Sequence, residues 1–143
     1  MTMTTMAPAF DSVSIGDMLP MLSLPPLTRA MLVLYAEASG DPNPIHIDVD
    51  VARAAGMPDV LAHGMLLMAW LGRLLTQWAP QRDLREFGVR FSAMTFVGER
   101  ITCSGRIVDK QERDGERLAK IEVKTMNDAG ELKVVGDAWI CLH

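Results

Sequence analysis

The residues best suited to chemistry lie together in Ser39-Gly40-Asp41-Pro42-Asn43-Pro44-Ile45-His46. Asp41 and His46 stand five positions apart, and Pro42 and Pro44 fix their own φ and push Asp41 and Asn43 out of the α region. A loop this stiff can turn both side chains into one space. An imidazole takes or gives a proton near neutral pH, while a neighbouring carboxylate positions a water or serves as a second acid or base. The same hexapeptide also suits a turn with a capping Asp and a structural His, and the residues alone leave both readings open.

A second candidate follows at Leu61-Ala62-His63-Gly64-Met65, where a long apolar run begins. If a helix starts near His63, the N–H of Gly64 is one of its unpaired first-turn donors, and the missing Cβ leaves room for a ligand oxygen. A helix N-terminus favours developing negative charge, so this N–H is placed to steady an enolate derived from a thioester. Close packing of a helix on a sheet would equally explain a glycine there. His63 either orients a neighbour or caps the helix start. Asp41, His46 and His63 form a conceivable metal set, but H-E-x-x-H or H-x-x-E-H spacing is absent and no metal is expected. Ser39 and the cysteines lack a nucleophile elbow such as G-x-S-x-G. No cofactor is expected.

The elements that must hold these residues can be read in order. Residues 1–12 mix Met, Thr, Ala and Pro without periodicity and predict a flexible N-terminus, followed by a single domain over 13–143. Residues 18–24, interrupted by Pro20 and stopped by Pro25-Pro26, predict an edge strand. Thr28 is an N-cap candidate for a helix through Met31, Leu32, Leu34, Tyr35 and Ala38 that Gly40 ends, delivering the chain into the proline loop. Asp48 caps a short helix ended by Gly56. Across 60–78, Leu66, Leu67, Met68, Trp70, Leu71, Leu74, Leu75 and Trp78 cover most of a helix circumference, which predicts a surrounded helix. Burying each of them contributes roughly 1.5–3 kcal/mol.

After Pro80 the pattern turns to strands, at 87–91, 100–108, 117–125 and 132–142, with turn signals at 97–99, 109–115 and 127–130. The last three read as an antiparallel meander. A helix apolar nearly all round followed by strands is best satisfied by an α+β architecture, a curved antiparallel sheet wrapped around a long central helix.

Charge narrows the possible partners. Residues 1–72 carry seven acids and two bases, and residues 73–143 carry eleven acids and twelve bases, within a net charge of −4. No dense Lys/Arg block exists to release counterions, so nucleic acid is not an expected partner. Arg82, Arg85, Arg90, Arg100 and Arg106 are scattered enough to be plain surface solvation, or to serve a small polyanion. Cys103 and Cys141 lack metal-ligand spacing and are expected as free core thiols. The opening residues have no basic n-region or apolar h-region, and the run 61–75, broken by His63 and Arg73, is shorter than the ~20 residues that cross a bilayer. No membrane span and a cytoplasmic location are expected.

Tyr35…Ser39-Gly40-Asp41-Pro42-Asn43-Pro44-Ile45-His46 with the later Ala62-His63-Gly64-Met65 resembles the MaoC-like family of (R)-specific enoyl-CoA hydratases and 3-hydroxyacyl dehydratases. The resemblance implies the hot-dog fold. It implies Asp41 and His46 as a catalytic dyad, the Gly64 N–H as donor to the thioester carbonyl oxygen with His63 beside it, and loop support from Asn43, Ser39 and Tyr35. It also implies an acyl-CoA or acyl-carrier-protein thioester as substrate, and pairing of domains through their sheets into a homodimer or a heterodimer. Arg90-Phe91-Ser92-Ala93 looks like the family's R-F-x-x segment, but Met94-Thr95 stands where many members have Pro, and Glu99-Arg100 where Gly-Asp is common. These departures bear on the acyl tunnel, which Met65, Met68, Trp70 and Phe91 are candidates to shape. The reaction implied is reversible hydration of 2-enoyl thioesters. Two other readings stand beside it: a hot-dog thioesterase, and a tunnel-shaping subunit of a heteromeric dehydratase.

Overall fold

A computed structural model describes residues 6–143. Three helices, α1 (Arg29–Ser39), α2 (Val49–Ala54) and α3 (Gly64–Trp78), precede most of a five-stranded antiparallel sheet. Its strands are β1 (Leu22–Ser23), β2 (Leu84–Phe91), β3 (Thr102–Arg113), β4 (Glu116–Met126) and β5 (Leu132–Cys141), in the order β1-β3-β4-β5-β2. The sheet curls around α3, as the sequence pattern predicts.

Alternation decides which side of the sheet is which. On β4, Ala119, Ile121 and Val123 face α3 and are buried, while Lys120, Glu122 and Lys124 face outward. The core joins these residues to Leu67, Leu71, Leu74 and Leu75 of the helix. Cys103 and Cys141 are buried and unpaired. Burial pushes the Cys103 thiol up to about 12, which removes it as a nucleophile at neutral pH.

Several boundaries differ from the sequence reading. The edge strand expected over 18–24 is reduced to β1 and one isolated bridge from Met18 to Arg106, because Pro20 and Pro25 withhold ladder donors. β3 runs on to Arg113, well past the turn expected from 109: a bulge between Ile107 and Asp109 lets the ladder continue, and the reversal is left to Asp114-Gly115 at φ 54° and 78°. Positive φ at both residues is the signature of a two-residue hairpin turn. Nor is α3 surrounded within the chain. Met65, Ala69, Arg73 and Gln77, four residues apart, form an exposed stripe, since one sheet covers only one side of a helix.

The flexible terminus expected over 1–12 is corrected in part. Residues 1–5 lie outside the described residues. From Phe10 the chain is held: Phe10 is buried, its N–H donates to the His143 carbonyl at 3.2 Å, and the Lys110 and Arg117 cations lie 4.2 and 4.3 Å from its ring centre.

Candidate active site

Helix α1 is begun and ended by local chemistry. Thr28 Oγ1 accepts the Met31 N–H at 3.2 Å, and Gly40 at φ 74° terminates the helix in the left-handed region that a Cβ would strain. The chain then turns through two short side-chain bonds. Asp41 Oδ1 accepts the Asn43 N–H at 3.3 Å, and Asn43 Oδ1 accepts the Ile45 N–H at 3.1 Å. Ser39 Oγ accepts the Asp41 N–H at 3.3 Å. Ser39 and Asn43 thus each accept a backbone N–H of this segment, and Pro44-Ile45-His46 forms a single 3-10 turn.

His46 is oriented from outside its own loop. Its Nδ1 lies 2.7 Å from the Leu61 carbonyl oxygen, which can only accept, so Nδ1 carries the hydrogen and Nε2 is the free nitrogen. His63 mirrors this arrangement. Its Nε2 donates to the Asp41 carbonyl at 3.0 Å, leaving Nδ1 buried and without a partner among the described residues. The two imidazoles stack at 3.8 Å between centroids and 25° between planes, and Tyr35 meets His63 edge-on at 4.9 Å. Burial, then the charge of Asp41, raises the Tyr35 phenol above its ordinary value, so it stays a hydrogen-bond donor at neutral pH.

The fold therefore brings Asp41, His46, His63 and Tyr35 together, with one donor atom from each of Asp41, His46 and His63 within 4.8 Å of the others. Three such ligands are the minimum for a metal. Face-to-face stacking of the two rings, however, is a poor fit to tetrahedral coordination of one ion by both.

His63 occupies the N-cap position of α3, but its side chain makes no capping bond and reaches the Asp41 carbonyl instead. The N–H of Gly64 has no acceptor among the described residues. The room left by its missing Cβ is already used: a Cβ there would stand 2.9 Å from Cδ1 and Cε1 of Phe91. Of the tunnel candidates, Phe91 and Met65 are exposed beside this point, Met68 is half-buried and Trp70 belongs to the main core. A groove of about 690 Å³ lies elsewhere, on the outer face of the sheet between Arg90, Lys120, Lys124 and Asp137.

Sequence reasoning did not single out the Leu61 carbonyl, because a backbone acceptor leaves no mark in residue types. It noted Thr95 only as a departure and Glu99 as a departure and the end of a turn signal, yet the Thr95 carbonyl accepts the Ala62 N–H at 2.8 Å, one residue before His63.

Known proteins similar to this chain fall in one family. The family model described as MaoC like domain matches residues 17–129. The chain is 29% identical over 109 residues to a mitochondrial 3-hydroxyacyl-[acyl-carrier-protein] dehydratase of Arabidopsis thaliana; the match spans 76% of this chain and 66%, just under two thirds, of the relative. It is 28% identical over 115 residues to an (R)-specific enoyl-CoA hydratase of Aeromonas caviae, covering 79% of this chain and 84% of that one. The solved structure of the (R)-hydratase from A. caviae superimposes with a TM-score of 0.80 at 26% identity, over 92% of this chain and 98% of that one.

Proposed function

We propose, from the fact that the chain belongs to the MaoC-like domain family, that it is a hydro-lyase adding water reversibly across the C2–C3 double bond of a 2-enoyl thioester. The product is an (R)-3-hydroxyacyl thioester. One observation carries the assignment of residues: His46 is locked with Nδ1–H on the Leu61 carbonyl, so its free Nε2 and the Asp41 carboxylate form an acid/base pair on one rigid loop.

In this reading a water sits between Asp41 and His46 Nε2. Its oxygen bonds to C3 as its proton passes to the dyad, and the electrons of C2=C3 move onto the thioester oxygen. The Gly64 N–H, at the positive end of a 15-residue helix, donates to that oxygen. The dyad then returns a proton to C2 on the same face, completing a syn addition. Dehydration is the reverse, with the acidic C2 proton taken first. His63 holds the Asp41 carbonyl, and Asn43, Ser39 and Tyr35 brace the loop.

The substrate carrier is CoA or acyl carrier protein, the carriers named for the relatives above. The free edge of β2 is available for pairing with a second domain, homomeric or heteromeric, and Asp41 is exposed in the single chain, as expected of a site that a second domain helps to enclose. No helix among the described residues is long and apolar enough to cross a membrane. Two buried unpaired thiols suit a reducing compartment such as the cytoplasm.

The test is hydration of crotonyl-CoA, followed by loss of enoyl-thioester absorbance, in the wild type and in Asp41→Asn and His46→Ala. Activity in the wild type that falls about 10²–10⁴-fold in each variant is expected. Undiminished activity in the variants would sink the dyad, and thiol release without change at C2 or C3 would convert the reading to a thioesterase.

A further inference from the structure

Lys133 has no part in the chemistry above, yet it is 2% exposed at the start of β5. Its Nζ donates to the Met94 carbonyl at 2.8 Å, approaches Glu99 Oε1 at 2.9 Å and also binds Glu131. Its own carbonyl accepts the N–H groups of Ser92 and Ala93 at 2.8 and 3.2 Å. Glu99 completes the arrangement, with Oε2 accepting the Phe96 N–H at 2.6 Å and Oε1 accepting from Asn127 Nδ2 at 2.8 Å. A buried ammonium is costly unless paired and fully bonded, and here all of these contacts except the one to Glu131 fix some part of one loop, residues 92–99, between β2 and β3.

That loop touches both segments that deliver the candidate dyad. On one side Leu27 and the loop exchange two backbone bonds, Gly98 N–H to the Leu27 carbonyl at 2.8 Å and Leu27 N–H to the Glu99 carbonyl at 2.9 Å, immediately before Thr28 caps α1. On the other side Phe96 bridges Leu61 in antiparallel fashion, and the Thr95 carbonyl takes the Ala62 N–H. Leu61 is the residue whose carbonyl orients His46, and Ala62 leads directly into His63 and Gly64.

We propose that the pair of buried Lys133 and half-buried Glu99 is a positioning device for the site: by fixing the loop at 92–99 it sets the Leu61 carbonyl that selects the His46 tautomer, and the start of α3 that aims the Gly64 N–H. Lys133 and Glu99 touch no reacting atom. They act through Thr95 and Phe96, and the kinetic part of this inference rests on the hydratase reading.

The test compares Glu99→Gln, Lys133→Met and Lys133→Arg with the wild type. Asp83→Asn serves as a control, a buried carboxylate paired with His143 at 3.2 Å near the far end of α3. Two readouts are taken below the melting temperature of every variant: the imidazole ¹H–¹⁵N correlations of the histidines, and kcat and KM for crotonyl-CoA. In Glu99→Gln the signal of a His46 protonated at Nδ1 should shift or broaden, and kcat should fall about tenfold or more with KM nearly constant, as displacement of a catalytic group dictates. Lys133→Arg, which keeps the charge, should retain more of kcat than Lys133→Met. Asp83→Asn should lower the melting temperature and leave both readouts in place. Folded Glu99→Gln with an unchanged His46 signal overturns the proposal, whatever the activity. A wild type that hydrates nothing overturns the hydratase reading instead, and the imidazole signals still decide the positioning role. If Lys133→Met does not fold, the His46 signal of Glu99→Gln decides between the two outcomes.

Discussion

The side-chain bonds made within the segment 39–45 each span two residues and lie at the surface, whereas those that hold the loop at 92–99 reach across as many as 39 residues to a buried lysine. Both converge on the same stretch of chain, 61–63. Exposed hydrogen bonds contribute only about 0.5–1.5 kcal/mol each. The first loop therefore depends on prolines and on Gly40 for its shape, and those act without partners. The second has Gly98 at φ 92° but no proline between Ser92 and Glu99, and depends on the ion pair. In the proposed reaction a site built this way has a locally written half that carries protons and a non-local half that sets where the protons go.

The sharpest way to break that contrast is to strip the local half of its chemistry. If Asp41 and His46 work as one unit, the double variant Asp41→Asn/His46→Ala should hydrate crotonyl-CoA about as slowly as the worse single variant, not at the product of two losses of about 10²–10⁴ each. Multiplying losses in steady-state kinetics would mean two independent groups. The melting temperature should stay close to the wild type, since Asp41 is exposed and its backbone carbonyl, the group that His63 holds, survives the substitution.

The two halves touch where the Phe91 ring at the end of β2 lies against Gly64. Gly64→Ala should cost roughly ten- to a hundredfold in kcat/KM, since its Cβ must displace the ring 2.9 Å away or shift the first turn of α3. The same substitution in a Phe91→Ala background should cost less, because the obstacle is gone; the difference between the two losses measures the coupling. Equal losses in both backgrounds would place the clash on the substrate itself.

What was legible in the sequence divides along the same line. Thr28, Gly40, Pro42, Asn43, Pro44 and Asp48 act on neighbours within a few positions, so helix starts, helix stops and the stiff loop follow from residue type. The alternation of β4 follows from periodicity, whereas α3 reads as apolar nearly all round and shows its exposed stripe only once a single sheet is seen to cover one side. The Lys133–Glu99 pair does not follow from residue type or periodicity: Glu131 is the one neighbour in sequence, and only the fold brings Met94 and Glu99, with Asn127 behind it, to Lys133. The same holds for the Leu61 carbonyl. The hairpin turn at Asp114-Gly115 was available in principle, since Asp-Gly is a strong local signal, but the polar run before it reads as loop until a partner strand pairs with it.

Acid should expose the non-local half. Burial pushes the Glu99 carboxyl up, but the Phe96 N–H, the Asn127 amide and Lys133 outweigh it and hold the group below its ordinary value of 4.5. A carboxyl lowered in the folded state contributes stability that is fully present above 4.5 and is lost as pH falls through its folded value. Urea unfolding between neutral pH and about pH 3 should therefore show the wild type losing more stability than Glu99→Gln, which has no such proton to gain. At the alkaline end burial lowers the Lys133 ammonium, while Glu131 and Glu99 raise it above 10.5 overall, so its contribution persists up to that value and fades only beyond it. Parallel acid profiles for the two proteins would remove the charge from the account of this loop.

The smallest effect isolates the element that feeds the local half. Thr28→Ala removes the bond from Thr28 Oγ1 to the Met31 N–H, an N-cap loss of about 1 kcal/mol, visible as a small drop in the urea midpoint with an unchanged m-value. The backbone bonds between Leu27 and 98–99 lie just outside the cap and stay in place, so the helix should still start at the same residue. With its start fixed by Leu27 and its end fixed by Gly40, α1 should deliver Asp41 to the same position, and kcat for crotonyl-CoA should remain within about twofold of wild type even though stability falls. A fall in kcat that tracks the lost stability would show that the cap, and not the Lys133-anchored loop, sets the register of the dyad; the non-local half would then be a support for the core alone.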